Sequence, residues 1–364
     1  MKPQDSAGTV RLYRFMEEAE VDLLRNLINA RKDVSAWYSP TAFWPHFNQI
    51  NAPRLTCVPD VLFSEFPVAF SSLGGDRFLQ TFKLVEAAIE GGDHFVTYSE
   101  YIKCRTLVDR YHLDPNAISV VPHGANRLDE LITVSGFSDN GAVTSAFCAN
   151  LFRGALHKAI GTPGAENFDS GDVQFVFYAS QFRPNKNIIL LLHAYEHLLK
   201  RRYIGHKLVL TGNPNNLPEI AQFITDHNLQ NDVLCLHGLS AQELAACYRL
   251  ADLAVNPSLS EGGCPFTLTE ALSVGTPVVM ARIPVTEEVV TDPELQDIML
   301  FDPYDWKDIA ARIEWALQNA DALLERQLQL YARLAQRSWR TVVDEHIAIL
   351  DRISTPSAQL ERRR

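Results

Sequence analysis

A chain of 364 residues, 46% hydrophobic and 21% charged, is long enough for two domains of ordinary size and carries no bias toward disorder. Its formal net charge of −11 argues against a nucleic-acid partner, because phosphate backbones are bound by clustered Lys and Arg, and Arg362 to Arg364 make only a short basic tail. The N-terminus is polar and the longest apolar runs are strand-length, so neither a secretory signal nor a membrane span is expected and the chain reads as soluble and cytoplasmic. Cys57, Cys104, Cys148, Cys235, Cys247 and Cys264 lack CxxC spacing, a pattern that suits buried free thiols better than disulfides or zinc.

In chain order, the N-terminal part offers strands at Val34 to Tyr38, Leu55 to Val58, Phe95 to Tyr98 and Ile118 to Val121, with helices at Phe78 to Ile89 and Tyr101 to Tyr111. Four strands are fewer than a full Rossmann-like domain usually has. Residues 131–171, rich in Ser, Gly, Ala and Asn and holding Gly161-Thr-Pro-Gly164, are expected to form a linker with one short helix from Ala146 to Ala159.

From 172 onward strands and helices alternate, which implies a parallel sheet covered on both faces. The expected strands are Val173 to Tyr178, Lys207 to Leu210, Val233 to His237, Ala251 to Asn256, Pro277 to Met280 and Ile298 to Phe301. The expected helices are Asn187 to Arg202, Leu217 to His227, Ala241 to Leu250 and Asp305 to Asn319, followed by one long helix over Ala320 to Ser354. The division expected is an N-terminal domain over 1–130, the linker, a second domain over 172–335, and a terminal helix over 336–364.

Residues 258–279 carry the densest functional signal. A strand runs into a Pro-Ser turn, a Glu-Gly-Gly loop and a helix start, so the carboxylates of Glu261 and Glu270 and the backbone of Gly262, Gly263 and Cys264, the candidate donor-binding residues, converge at one strand end. Open α/β sheets bind ligands there, and helix N-termini attract phosphate. Thr267-Leu-Thr-Glu270 also reads as a capping box, and Glu261 as a solvated loop charge.

This segment resembles the retaining glycosyltransferases of family 4, whose hallmark order is matched by Pro257, Ser258, Glu261, Gly262, Glu270, Ala271, Gly275, Thr276 and Pro277. The family usually places seven residues between its two glutamates, and here there are eight, so a one-residue bulge is expected. The resemblance implies an α/β chain of GT-B fold, two Rossmann-like domains facing a cleft, with the N-terminal one abbreviated. The family's glycine-rich first loop has no counterpart here beyond Ala7-Gly8, which leaves a fragment of a longer protein or a shortened acceptor half as the two explanations.

Tyr178 to Asn187 resembles the second family signature, in which an Arg and a Lys hold the pyrophosphate. Lys186 matches the Lys; Gln181 occupies the usual Arg position, so Arg183 would serve from two residues further on. Cations on a preorganised loop stabilise a leaving diphosphate without proton transfer; solvated loop charges are the plainer alternative. Val120-Val-Pro-His123-Gly124 resembles the strand end where the N-terminal domain meets the cleft, although His123 also reads as a strand-end residue bonded to backbone. Tyr98-Ser-Glu100 resembles a turn on the acceptor side. Cys235-Leu-His-Gly238 resembles the loop whose backbone reads the nucleotide base. Thr56-Cys-Val-Pro59-Asp60 holds proline where many relatives carry a histidine beside the reacting sugar.

The activity so implied is transfer of a hexose from a nucleoside diphosphate sugar to a glycan or lipid-linked acceptor with retention, the departing phosphate taking the acceptor proton. Arg183, Lys186 and Glu261 would act at the reacting end and Glu270 at the ribose. No cofactor is implied, and no metal, since no Asp-x-Asp motif is present and cations with helix dipoles can neutralise the diphosphate. A lipid-linked acceptor would bring peripheral contact with the inner face of a membrane. Two further readings are a donor-binding but catalytically impaired fragment or partner subunit, and a nucleotide-sugar epimerase of the same fold.

Overall fold

The computed structural model describes residues 6–159, 168 and 173–355. The chain divides into two compact units, one of residues 1–121 with 343–364 and the other of residues 122–342.

The first unit holds a four-stranded parallel sheet in sequential order: β1 (Trp37–Ser39), β2 (Arg54–Cys57), β3 (His94–Thr97) and β4 (Ile118–Val120). Registers such as Leu55 with His94 and Phe95 with Ile118 fix the ladder. Its apolar core gathers Val58 and Val61 from the loop after β2, Phe95 from β3, Val85 and Ile89 from the helix Asp76–Glu90, and Leu107 from the helical segment Ile102–Arg110. The helix expected at Tyr101 to Tyr111 is wound more widely, as a π-helix over Ile102–Arg110, entered through the Ser99 hydroxyl, which accepts from Ile102 N at 3.2 Å. Ala7-Gly8 falls in a helix, Ser6–Ala30, which the sequence reading leaves out.

The second unit is a six-stranded, all-parallel sheet. Its strands are β5 (Phe175–Tyr178), β6 (Lys207–Leu210), β7 (Val233–Cys235), β8 (Leu253–Asn256), β9 (Val278–Ala281) and β10 (Leu300–Phe301), in the spatial order β10-β9-β8-β5-β6-β7. Counted from β5 as one, the order is 3-2-1-4-5-6, the doubly wound Rossmann arrangement. Every residue of β5, β8 and β9 is buried, as a central parallel sheet with helices on both faces requires. Strand order reverses between β5 and β8, which are hydrogen-bonded neighbours. Connections leave the sheet in opposite directions there and open a crevice beyond the carboxyl ends of those two strands.

Three expectations are corrected. The stretch read as a linker contains a 19-residue helix, Asn140–Lys158, capped by Asp139, whose side chain accepts from Ala142 N. It buries Cys148, Phe152, Ala155 and Leu156, stacks Phe152 on Phe175 of β5 at 5.4 Å and pairs Lys158 with Glu243 at 2.6 Å. The helix expected from Ala146 thus begins six residues earlier and packs as part of the domain; Gly161-Thr-Pro-Gly164 lies outside the described residues. The long helix over Ala320 to Ser354 is two, Ala320–Leu334 and Trp339–Ser354, and Ser338 restarts the second by accepting from Thr341 N at 3.2 Å. The strand expected at Ile298 to Phe301 shrinks to Leu300–Phe301, because Pro293–Met299 forms a helix capped by Asp292. All six cysteines are free, and Cys57, Cys148, Cys235 and Cys247 are buried, whereas Cys104 is exposed.

Candidate active site

The crevice at the switch point is framed by the loops after β5 and β8, and side chains sew these loops together. Asn187 takes a left-handed backbone, φ 56°, and its Nδ2 donates to Pro257 O at 3.1 Å and to Pro303 O at 2.7 Å. The buried Asn185 donates from Nδ2 to Ser260 O at 3.1 Å, while its backbone carbonyl accepts from Leu259 N at 2.8 Å. Tyr178, at the end of β5, meets Ser258 hydroxyl to hydroxyl at 3.0 Å. Each bond satisfies a polar group in a buried setting where leaving it unmade would cost about 1–3 kcal/mol, so the two loops form one rigid rim.

The helix Phe266–Ser273 stands over this rim and is fixed at both ends. Asn256, the last residue of β8, donates from Nδ2 to the Thr267 hydroxyl at 3.1 Å and accepts from Ser258 N at 3.0 Å. At the other end Gly275, φ 80°, closes a Schellman motif: Gly275 N donates to Leu272 O at 3.2 Å and Thr276 N to Ala271 O at 3.0 Å. Thr276 then donates its hydroxyl to Tyr248 O at 2.6 Å.

Thr267 is not a capping residue. The helix begins one residue earlier, Pro265 precedes it, and no side chain caps it. The capping box is therefore absent, and Glu270 is turned inward to accept from Asn126 Nδ2 at 2.8 Å through Oε1. Burial raises the Glu270 carboxyl above its ordinary range, and the Asn126 hydrogen bond opposes that shift. The fully buried Tyr248 lies beside Glu270 and Thr267, yet its hydroxyl reaches no partner in normal hydrogen-bond geometry.

Arg183, Lys186, Glu261 and Glu270 line one cleft of about 600 Å³, together with Gln181 and Phe266 among others. Lys186 is ion-paired with Glu261, each side chain 19% exposed. Arg183 donates from Nη2 to Gln181 Oε1 at 2.7 Å; the glutamine in the family's arginine position thus holds the arginine that stands two residues on. The eight-residue spacing between the glutamates leaves both carboxylates on the cleft wall. Phe182, between the two cleft residues, is buried against Gly212, where a Cβ would fall 1.9 Å from the ring.

The other singled-out residues sit differently. Gly262, Gly263 and Cys264 belong to the loop after β8 but do not line the cleft, and burial pushes the Cys264 thiol up to about 12. Gly238 follows β7 with φ 66° and open space where a Cβ would lie. Gly124 packs beneath the 338–339 turn, a Cβ there falling 2.8 Å from Trp339 N, and Ala125 N donates to Arg337 O at 2.9 Å. The His123 ring lies 4.7 Å from that of Phe266, which lines the cleft, and 6.0 Å from Trp339. Burial and then the nearby Arg337 guanidinium lower its pKa to about 4, so the ring is neutral near pH 7. Pro59 lies two residues beyond β2 in the first unit. Asn126, Asn185 and Asn187 were given no role from sequence, where asparagine in loops signals only turns.

Residues 165–336 match the family model described as Glycosyl transferases group 1. The chain is 32% identical over 184 residues to the serotype-specific mannosyltransferase WbdA of Escherichia coli, covering 48% of this chain and 21% of that protein. It is 30% identical over 187 residues to the MMP alpha-(1->4)-mannosyltransferase of Mycolicibacterium hassiacum, covering 49% and 43%. The chain thus spans between about a fifth and about half of the length of the curated relatives it matches. Among solved structures it is similar to Anabaena Alr3699/HepE in complex with UDP-glucose, with TM-score 0.66, 16% identity and coverage of 91% of this chain and 81% of that one. It is also similar to a glycosyltransferase from Rickettsia africae ESF-5, with TM-score 0.63, 16% identity and coverage of 93% and 81%. The chain has the GT-B class of α/β fold, and the part of it that matches the glycosyl transferases group 1 model, residues 165–336, includes all six strands of the second unit.

Proposed function

We propose that this chain is a hexosyltransferase that moves a sugar from a nucleoside diphosphate sugar to a glycan or lipid-linked acceptor with retention of anomeric configuration. The observation that carries the reading is the meeting of Arg183, Lys186, Glu261 and Glu270 in one cleft at the strand-order reversal. Lys186 and Arg183 would bear the charge that develops on the departing diphosphate, a preorganised electrostatic role. Glu261 would orient the sugar and Glu270 the ribose, and the leaving phosphate would take the acceptor proton on the same face. Mannosyltransferases among the relatives and a UDP-glucose complex among the similar structures support a nucleotide-sugar donor. Two cations and oriented backbone amides can neutralise the diphosphate without a divalent metal.

No helix among the described residues is long and apolar enough to cross a membrane; for a lipid-linked acceptor we propose peripheral contact. The test is incubation of the purified chain with UDP-glucose or GDP-mannose and glycan acceptors, with NMR of the anomeric proton of any product. No turnover, together with no UDP or GDP binding by calorimetry, overturns the reading. A second reading, donor binding without transfer, draws on Pro59, which can neither donate a hydrogen bond nor take a proton where the family usually has histidine. Nucleotide binding with no turnover would select it.

A further inference from the structure

Resting on the donor-binding reading, we propose that Asn126, backed by Trp339, is a positioning residue that holds the Glu270 carboxylate in the orientation that accepts from the ribose hydroxyls of a nucleoside diphosphate. Trp339 Nε1 donates to Asn126 Oδ1 at 2.9 Å. An indole nitrogen can only donate, so this bond decides which end of the amide faces which way. The NH₂ end is thereby turned to Glu270, donating to Oε1 at 2.8 Å.

The backbone around Asn126 is tied to the helix that carries Glu270. Asn126 N donates to the Thr269 hydroxyl at 3.4 Å and Leu128 N to the Ser273 hydroxyl at 3.1 Å. Donor and acceptor are therefore locked at both ends, while Glu270 lines the cleft. With Oε1 engaged by Asn126 and the Tyr248 hydroxyl beside the group, the carboxylate is held against rotation, and Oε2 is the oxygen that would accept from a ribose hydroxyl. The chain thus has a relay of three side chains from a half-exposed indole to the cleft wall, in which only the last would touch ligand.

The experiment is calorimetry of UDP and GDP, each beside its 2′-deoxy counterpart, on wild type, Asn126→Leu, Asn126→Asp and Trp339→Phe, with thermal melts as a folding control. Hydrogen bonds to charged groups are worth about 1.5–3 kcal/mol, so wild type should prefer ribose over deoxyribose about tenfold or more. In Asn126→Leu and Trp339→Phe that preference should fall to about threefold or less, while the deoxy nucleotide binds nearly as in wild type. In Asn126→Asp two carboxylates face each other at pH 8 and the preference is lost; as pH falls and the pair shares a proton, a donor returns and the preference recovers. A merely structural asparagine would give neither the selective loss nor the pH-dependent recovery. A wild-type ribose preference in Asn126→Leu and Trp339→Phe, or equal weakening of ribo and deoxy nucleotides, overturns the inference. Failure of wild type to bind either nucleotide overturns the donor reading instead, and the inference with it.

Discussion

Replacing Lys186 by methionine keeps the unbranched stem of the side chain and removes its ammonium, which in the free chain is paired with Glu261. Both side chains are 19% exposed, so Glu261 is left with a partly desolvated charge and no counter-ion. Stranding a fully buried charge costs about 3–5 kcal/mol, whereas exposed pairs are worth about 0–1. At one-fifth exposure the expected loss of stability is about 1–2 kcal/mol, and each kcal/mol lowers the melting temperature by about 2–4 °C in a domain of this size. The loss at the ligand is larger. A charge-assisted contact to phosphate contributes about 1.5–3 kcal/mol, so the Kd for UDP or GDP should rise about 10- to 100-fold. Glu261→Gln makes the complementary case, since it frees the same ammonium from its partner: nucleotide diphosphate affinity should hold or tighten while sugar transfer falls. Isothermal calorimetry on the two variants reads both effects. Wild-type affinity in Lys186→Met, or parallel weakening in both, would show that the ion pair is a brace for the loops and not a diphosphate site.

Gly212→Ala pushes a Cβ into the Phe182 ring and should destabilise by about 1–3 kcal/mol, with the shift read by thermal melts and by altered nucleotide affinity, since Phe182 sits between Gln181 and Arg183. His123 has its pKa depressed from 6.5 to about 4 in the folded chain, so the stability it allows is fully present above pH 6.5 and is lost as pH falls toward 4. The loss is at most about 3 kcal/mol; His123→Gln should unfold with a shallower pH dependence between 6.5 and 4.5, and identical profiles would refute the assignment. Sugar transfer, if the cations suffice at the diphosphate, should proceed unchanged in excess EDTA, as a donor-turnover assay would show.

Sequence carried the second unit well because its strands are continuous apolar runs and its helices show a clean stripe, as in Ile188–Arg201, which buries Leu191, Leu192, Tyr195 and Leu198. Arg183, Lys186 and Glu261 were legible for a chemical reason, since charged residues in loops at strand ends carry no structural duty that would explain them, whereas Glu270, on a helix, stood out through the resemblance. The asparagines were not legible. Asn185 and Asn187 act through bonds to carbonyls 70 and more residues away, and nothing local to them predicts such partners. The capping box was misread because Thr and Glu at the right spacing satisfy the pattern whether the helix starts at 266 or at 268. The helix Asn140–Lys158 was expected only from Ala146 onward, since two of its four buried positions are alanine and cysteine, residues that weigh little in a hydrophobic pattern. The break at 335–338 contains neither Gly nor Pro, so no residue there signals a stop.

The stitching of the two rim loops by Asn185 and Asn187 has a bearing on how such sites drift. Because those amides hold the backbone of the turn independently of its charged side chains, the cation that faces the cleft is free to change its place in the sequence without dismantling the frame. Here the guanidinium stands at 183 and the residue at 181 supports it. A frame held by amides and not by charges leaves the facing and the supporting residue of this turn interchangeable in position.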